Sequence, residues 1–270
     1  MKKMKIIDVH THVFPEPIRQ KAVVSIGSYY DQPMQGSGEV EDLIREGSSC
    51  NVVKYVIHSA ATRAEQVQTI NRFIKNLQDN DDRLIGFGTV HQRTENPRTV
   101  IDETIEMGLN GVKLHPDFQR FDIDDPTMFP IYEAMEGRLP LMIHMGDAHS
   151  TASSPARLLN IIKRFPSLTV IAPHLGGYSM WDEAMETIIG RNIYLDTSSS
   201  LAFLPKAKAI DIIRAHGTDK VLFGTDYPMW LPKDELERFF ALGLSDEENE
   251  KILYGNAAKL FGVQESVCMP

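Results

Sequence analysis

The sequence holds nine histidines, and most of them follow short apolar runs. His10 and His12 follow the first such run, and His58, His91, His115, His144 and His174 each end a later one. Only His149 and His216 stand apart, in a loop and near a helix end. A lone imidazole at a strand end is ordinarily a structural hydrogen-bonder. A gathering of them at successive strand ends points to a site, because the stability of a fold does not require imidazoles there. His10-Thr11-His12 is the sharpest local signal. Strand side chains alternate, so both imidazoles leave on one side, and Asp8 shares that phase. Two neutral imidazoles side by side suit a borderline-soft divalent metal such as zinc. A third imidazole and a carboxylate would complete a site. His144 in Met142-Ile143-His144-Met145-Gly146 and Asp226 in Phe223-Gly224-Thr225-Asp226-Tyr227-Pro228 are placed for that. Taken alone, Asp226 also reads as a helix N-cap or turn residue.

These side chains need a scaffold that brings distant strand ends together. Apolar runs at residues 5–9, 52–57, 84–90, 111–114, 140–143, 168–172, 192–195 and 220–223 make eight candidate strands. Most are continuously apolar, as strands buried on both faces of a parallel sheet are. Between them lie stretches of helical periodicity. Val67, Ile70, Phe73, Ile74 and Leu77 form one, and Leu158, Leu159, Ile161 and Ile162, bounded by Pro155 and Pro166, form another. Ile210, Ile212 and Ile213 before Gly217 form a third. Strand and helix alternating eight times predict an α/β protein, a single (β/α)8 TIM barrel over residues 1–270, with the strand-end histidines at its C-terminal mouth. An open doubly wound sheet shares the alternation, but its usual Gly-rich phosphate turn after the first strand is absent. Residues 14–38, rich in Pro, Gly and Tyr, read as an insertion after strand 1 with the character of a lid. Residues 245–262 read as a closing helix.

Bulk properties narrow the function. A chain of 270 residues buries enough surface for a sizeable core. Its formal charge of -9 repels phosphate backbones, which argues against nucleic acid as a partner. Cys50 and Cys268 are far apart and in no metal-type spacing, so they read as unpaired thiols in a reducing compartment. The basic start, Met1-Lys2-Lys3-Met4-Lys5, is followed by only two apolar residues before Asp8, unlike a signal peptide. With no run long enough to span a bilayer, the expectation is a cytoplasmic protein that acts on a small-molecule substrate without a membrane. The composition leaves room for a homo-oligomer.

Six motifs then carry a resemblance. They are Asp8-Val9-His10-Thr11-His12, Gly111-Val112-Lys113-Leu114-His115-Pro116, Ile143-His144-Met145-Gly146, Ala172-Pro173-His174-Leu175-Gly176-Gly177, Phe223-Gly224-Thr225-Asp226-Tyr227-Pro228 and Gly255-Asn256-Ala257-Ala258-Lys259-Leu260-Phe261-Gly262. In this order they resemble the amidohydrolase superfamily, within it the amidohydrolase-related group of small aromatic-acid decarboxylases and hydrolases. The resemblance implies that His10, His12, His144 and Asp226 ligate one divalent metal, zinc by default with manganese as the alternative. It implies that His174 is catalytic. Asp226 would take a proton from a metal-activated water, and His174 would polarise the substrate or move a proton to the leaving group.

Lys113 and His115 share a strand face and are expected to contact substrate, Lys113 as the holder of a carboxylate. A carboxylated Lys113 bridging two metals and a structural ion pair are its other readings. His58 and His91 are expected in supporting or substrate contacts. Gly176-Gly177 permits either a close substrate approach or a turn, and Asn256 suits packing. Trp181, Tyr227 and Trp230 could pack or line an aromatic pocket. The expected reaction is hydrolysis of an amide, ester or lactone in a small carboxylate-bearing substrate. Decarboxylation of an aromatic or unsaturated acid is the alternative, and a metal- or ligand-binding barrel without turnover is the third reading.

Overall fold

The computed structural model describes residues 4–264. Cys268 and the first three residues of the basic N-terminus lie outside them. Eight parallel strands run in sequence order: β1 (Ile6–His12), β2 (Val52–His58), β3 (Leu84–Gly88), β4 (Gly111–Leu114), β5 (Leu141–Ile143), β6 (Val170–Ala172), β7 (Tyr194–Asp196) and β8 (Val221–Leu222). The barrel closes where Val9 N–H donates to Phe223 O at 2.9 Å and Asp226 N–H to His10 O at 2.9 Å. Helices separate the strands: α1 (Glu16–Tyr30) and α2 (Val40–Ser49), then α3 (Val67–Asn80), α4 (Pro97–Glu106), α5 (Pro116–Gln119), α6 (Phe129–Met135), α7 (Pro155–Arg164), α8 (Trp181–Thr187) and α9 (Lys206–His216). After β8 come α10 (Pro232–Ala241), α11 (Asp246–Glu250) and α12 (Asn256–Phe261). This is the predicted (β/α)8 barrel.

The strands are apolar on both faces for the expected reason. Ile7, Val56, Phe87, Met142, Ile171 and Leu222 fill the interior, while Val112, Leu114, Leu141, Ile143, Val170 and Val221 face the helices. Tyr254, Ala257 and Ala258 pack onto the interior group, so the C-terminal segment covers one end of the barrel and leaves the histidine end open. The closing helix predicted over 245–262 is broken: a π-helical turn at Lys251–Gly255 separates α11 from α12. Asn256 has the expected structural role, donating to the carbonyls of Thr218 and Val221 at 2.7 Å each.

The segment at 14–38 is mostly the 15-residue helix α1. Pro17 lies in its first turn, where a missing N–H costs nothing, and Asp31 ends it in a left-handed conformation. No residue of α1 is buried, so no apolar stripe marked it in the sequence.

No helix among the described residues is long and apolar enough to cross a membrane. Cys50 forms no disulfide among the described residues.

One buried carboxyl on α10 sets a pH dependence of stability. Glu235 is fully buried, and burial pushes its pKa up to about 8, although the Arg238 guanidinium opposes the shift. Its Oε2 has no partner among the described residues. The folded state therefore keeps a proton that the unfolded chain releases near its ordinary value of 4.5. Stability must fall as pH rises between those two values, because the folded state binds more protons there. Glu235→Gln removes this dependence. Chemical denaturation at pH 5 and pH 9 should show the variant gaining on the order of 2 kcal/mol over the wild type at the higher pH. Equal differences at both pH values would show that Glu235 is ionised in the fold.

Candidate metal centre and cavity

The open end of the barrel collects the side chains singled out in the sequence. His10 Nε2 and His12 Nε2 lie 3.2 Å apart, and each is 3.3 Å from Asp226 Oδ1. Two ligands ~2.1 Å from one ion at a tetrahedral angle lie ~3.4 Å apart, so these three atoms already have the spacing of a coordination shell. His174 Nε2 is 3.0 Å from His144 Nδ1, and the rings of His10 and His174 are 5.2 Å apart. The structure thus brings His10, His12 and Asp226 to one point and joins His144 to them through His174.

The hydrogen bonds decide which nitrogens carry lone pairs. His10 Nδ1 donates to Asp196 Oδ2 at 2.9 Å, which leaves Nε2 free. His144 Nε2 donates to Gly146 O at 2.9 Å, and His174 Nδ1 donates to Ser198 O at 3.0 Å. Two acceptor nitrogens of His144 and His174 therefore face each other, an arrangement that a cation relieves. Burial is the main reason His10 is pushed down to about 4, and it pushes His12, His58, His115 and His144 below their ordinary values as well. Burial alone would raise the Asp226 carboxyl; His10, the hydrogen bond from His12, and His174 outweigh it and hold it well below the usual range. Neutral imidazoles around an ionised carboxylate are the donor set a divalent metal takes, and these residues fit one.

Several supports were not legible in the sequence. Asp196, at the end of β7, is held near 2 by His10 and His174 despite its burial. It accepts from His10 and from the backbone N–H groups of His174 and Ser198, so one carboxylate orients two of the imidazoles. Ser199 Oγ donates to Asp226 Oδ2 at 2.6 Å and receives the Trp230 indole N–H at 3.1 Å. The polar run Asp196-Thr197-Ser198-Ser199-Ser200 at a strand end was the available signal. His174, Ser199 and Asp226 all have positive φ, at 60°, 47° and 64°. Such backbone is costly for non-glycine residues and gathers where side chains must be aimed.

Other expected residues fall elsewhere. Asp8 does not join the cluster. The register slips between Asp8 and Thr11, so the period-2 phase is lost, and the Asp8 carboxylate instead receives the Thr225 N–H at 3.0 Å and hydroxyl at 2.7 Å. Lys113 is fully buried with Nζ 3.1 Å from His10 Nε2, and is absent from the wall of the cavity. Burial pushes it down to about 8 against the pull of Asp226 and Asp196. The register of β4 places it beside His10 rather than on the cavity wall. His115 does line the cavity, stacked between Phe118 at 3.9 Å and His144 at 4.0 Å. His58 is fully buried against His10 and His12, and neither ring nitrogen has a partner among the described residues. His91 stands away, accepting the Arg93 N–H. His216 is structural, bonded to Ile193 O at 2.9 Å.

Trp181 donates to His174 O at 2.9 Å, and Tyr227 is buried with its hydroxyl on Asp42 at 2.8 Å. Neither these two nor Trp230 lines the cavity, so packing and positioning is the outcome for all three. Gly176, at φ 87°, serves a turn.

Above the cluster lies a cavity of about 730 Å³. Its floor holds His12, His115, His144 and Asp226, and its walls include Phe14, Ile18, Ile26, Met34, Phe118 and Met229. Helix α1 forms much of the cover. Tyr30 hydroxyl is 3.2 Å from His115 Nε2 and 3.4 Å from His144 Nε2, and Tyr29 donates to Asp147 at 2.9 Å. The insertion does lie over the mouth, as its lid-like composition suggested, but nothing in the sequence singled out Tyr30.

Fold and site together define a metal-binding (β/α)8-barrel enzyme. The chain belongs to the amidohydrolase family, whose family model matches residues 7–263. It is 29% identical to a gamma-resorcylate decarboxylase from a Polaromonas species over 133 residues, a match that spans 41% of this chain and 40% of that protein. Its fold is similar to 5-carboxyvanillate decarboxylase from Sphingomonas paucimobilis, with a TM-score of 0.76 and 17% identity over 97% of this chain and 100% of that one. It is also similar to a dihydroxybenzoic acid decarboxylase from Polaromonas with bound manganese and the inhibitor 2-nitroresorcinol, with a TM-score of 0.73 and 17% identity over 97% and 98% of the two chains.

Proposed function

We propose that the protein is a metal-dependent decarboxylase of a hydroxylated aromatic carboxylic acid. The observation that carries this is the make-up of the cavity: imidazoles and the Asp226 carboxylate at the histidine cluster, and a wall that is largely apolar and aromatic, with Lys21, Asp117 and Arg120 as its charged members. A flat ring with a carboxylate at one end matches that division. The decarboxylases similar to this chain support the same choice over the hydrolysis expected from the motifs alone. His10, His12, His144 and Asp226 would hold the ion. Manganese stands beside zinc as the candidate, because the Polaromonas structure holds manganese.

Held by His10, His12, His144 and Asp226, a divalent ion would supply positive charge that stabilises negative charge on the substrate. The protein's own part is to manage one proton. Asp226 is ionised, so it accepts the proton of the substrate hydroxyl and then delivers it to the ring carbon that bears the carboxylate. The carbon–carbon bond breaks, carbon dioxide leaves, and its electron pair restores the aromatic ring as a phenolate. Solvent returns a proton to that oxygen. The hydroxyl is needed twice, as proton source and as the group that holds the electron pair. His115 and Phe118 offer stacking faces for the ring.

The test is a panel of mono- and dihydroxybenzoates against a panel of carboxylated lactones, with metal-loaded protein. Carbon dioxide released from a hydroxybenzoate, with none in the metal-stripped control, is the expected result. Lactone opening without carbon dioxide release would restore hydrolysis as the activity.

A further inference from the structure

We propose that a second cavity, beside the metal cavity, is an anion subsite that takes a second carboxylate of the substrate, distal to the one that is lost. The inference rests on the decarboxylase reading for its reaction, but the site is argued from its own residues. The cavity measures about 500 Å³ and shares Thr62, Phe118 and Arg120 with the metal cavity as common wall. Phe118 stacks on His115, which stacks on His144, so an aromatic path leads from the metal cluster to Arg120.

Three guanidiniums, those of Arg63, Arg93 and Arg120, line the second cavity against a single carboxylate, Glu65. Arg63 meets Glu65 at 3.3 Å, with both side chains well exposed, where such a pair is weak. The guanidiniums of Arg93 and Arg120 make no ion pair or hydrogen bond among the described residues. In a chain of net charge -9, two unpaired guanidiniums beside a substrate cavity are a local reversal of sign that draws anions inward. Guanidinium also matches a carboxylate in shape, through two parallel N–H bonds.

The site is built rather than accidental. Gln119 is buried, and its side chain joins the three loops that carry the arginines. Its Oε1 accepts from His115 N–H at 2.8 Å, and its Nε2 donates to Ala61 O at 2.9 Å and Val90 O at 2.8 Å. Gln92 then donates from its side chain to Gln119 O. Arg120 follows with φ 63°, a left-handed conformation that an arginine adopts only under constraint, at the end of α5. Gln92 Oε1 is buried in the same wall without a partner among the described residues, an acceptor left for a donor such as a ring hydroxyl.

The experiment measures binding without turnover, using manganese-loaded protein and calorimetric titration. The probes are benzoate, isophthalate and 3-(2-carboxyethyl)benzoate. At least one diacid should bind ~10-fold or more tightly than benzoate, the scale of one charge-assisted hydrogen-bonded pair. That advantage should vanish in Arg120→Gln and shrink in Arg93→Gln, while benzoate affinity stays unchanged in Arg93→Gln, whose side chain lines the second cavity and not the metal cavity. Both arginines are exposed, so neither substitution removes core packing. Diacids no tighter than benzoate in the wild type would overturn the proposal, as would an advantage that survives both substitutions. Failure to release carbon dioxide from any hydroxybenzoate would count against the decarboxylase reading alone and would leave this binding result standing.

Discussion

Asp226→Asn should lower carbon dioxide release by roughly 10³-fold or more, measured with excess manganese on a hydroxybenzoate that the wild type turns over. The substitution is nearly isosteric. Its side-chain oxygen can still accept from Ser199, which lies 2.6 Å from Asp226 Oδ2, and the backbone N–H that bonds His10 O is untouched. Two things are lost. An amide cannot take the substrate's proton and pass it to carbon, and it presents no negative charge to the ion. The second loss weakens metal binding, so metal content must be measured alongside activity. At full metal occupancy, the remaining deficit reports the proton transfer. A fully loaded Asp226→Asn enzyme within tenfold of the wild type would place the proton carrier elsewhere, with His174 next to examine.

The barrel was legible because buried parallel strands are apolar on both faces, and residues 52–57 or 111–114 stand out against the polar loops around them. The cluster of imidazoles around Asp226 was legible for a related reason: imidazoles at strand ends have no packing role to mask them. What stayed hidden depends on register and on cover. Alternation predicted Asp8 beside His10 and His12, but the slip between Asp8 and Thr11 breaks the alternation, and Asp8 ties down Thr225 instead. A bulge leaves no trace in a run such as Ile7-Asp8-Val9-His10, where every residue is buried. Lys113 and His115 do share a face, yet one is buried against His10 and the other lines the cavity wall. Depth along a barrel axis is not encoded by periodicity. Asp196 looked like any residue before a Ser-rich loop, and its two histidine partners come from β1 and the turn after β6. Tyr30 sits on a helix with no buried face, so only its fold-back over the mouth shows its place above His115 and His144.

His174→Asn should keep most of the bound metal and lose roughly 10²-fold in activity, whereas His144→Asn should lose metal first. The geometry separates the two residues. His144 donates from Nε2 to Gly146 O, which fixes its ring and leaves Nδ1 aimed at the cluster, as a ligating imidazole requires. His174 donates from Nδ1 to Ser198 O, its backbone N–H goes to Asp196, and its carbonyl is held by Trp181. These bonds hold a strained left-handed residue in place and leave Nε2 as a proton acceptor 3.0 Å from His144. A position so firmly fixed suits a relay that passes the returning solvent proton to the phenolate oxygen without moving itself. Asparagine is too short to reach that point, while the His10–Asp196 and Asp226–Ser199 pairs remain to hold the ion. Elemental analysis after gel filtration, run beside the carbon dioxide assay, measures both quantities on one sample. Equal metal loss in the two variants would make His174 a primary ligand and give the ion the facing nitrogens of both imidazoles.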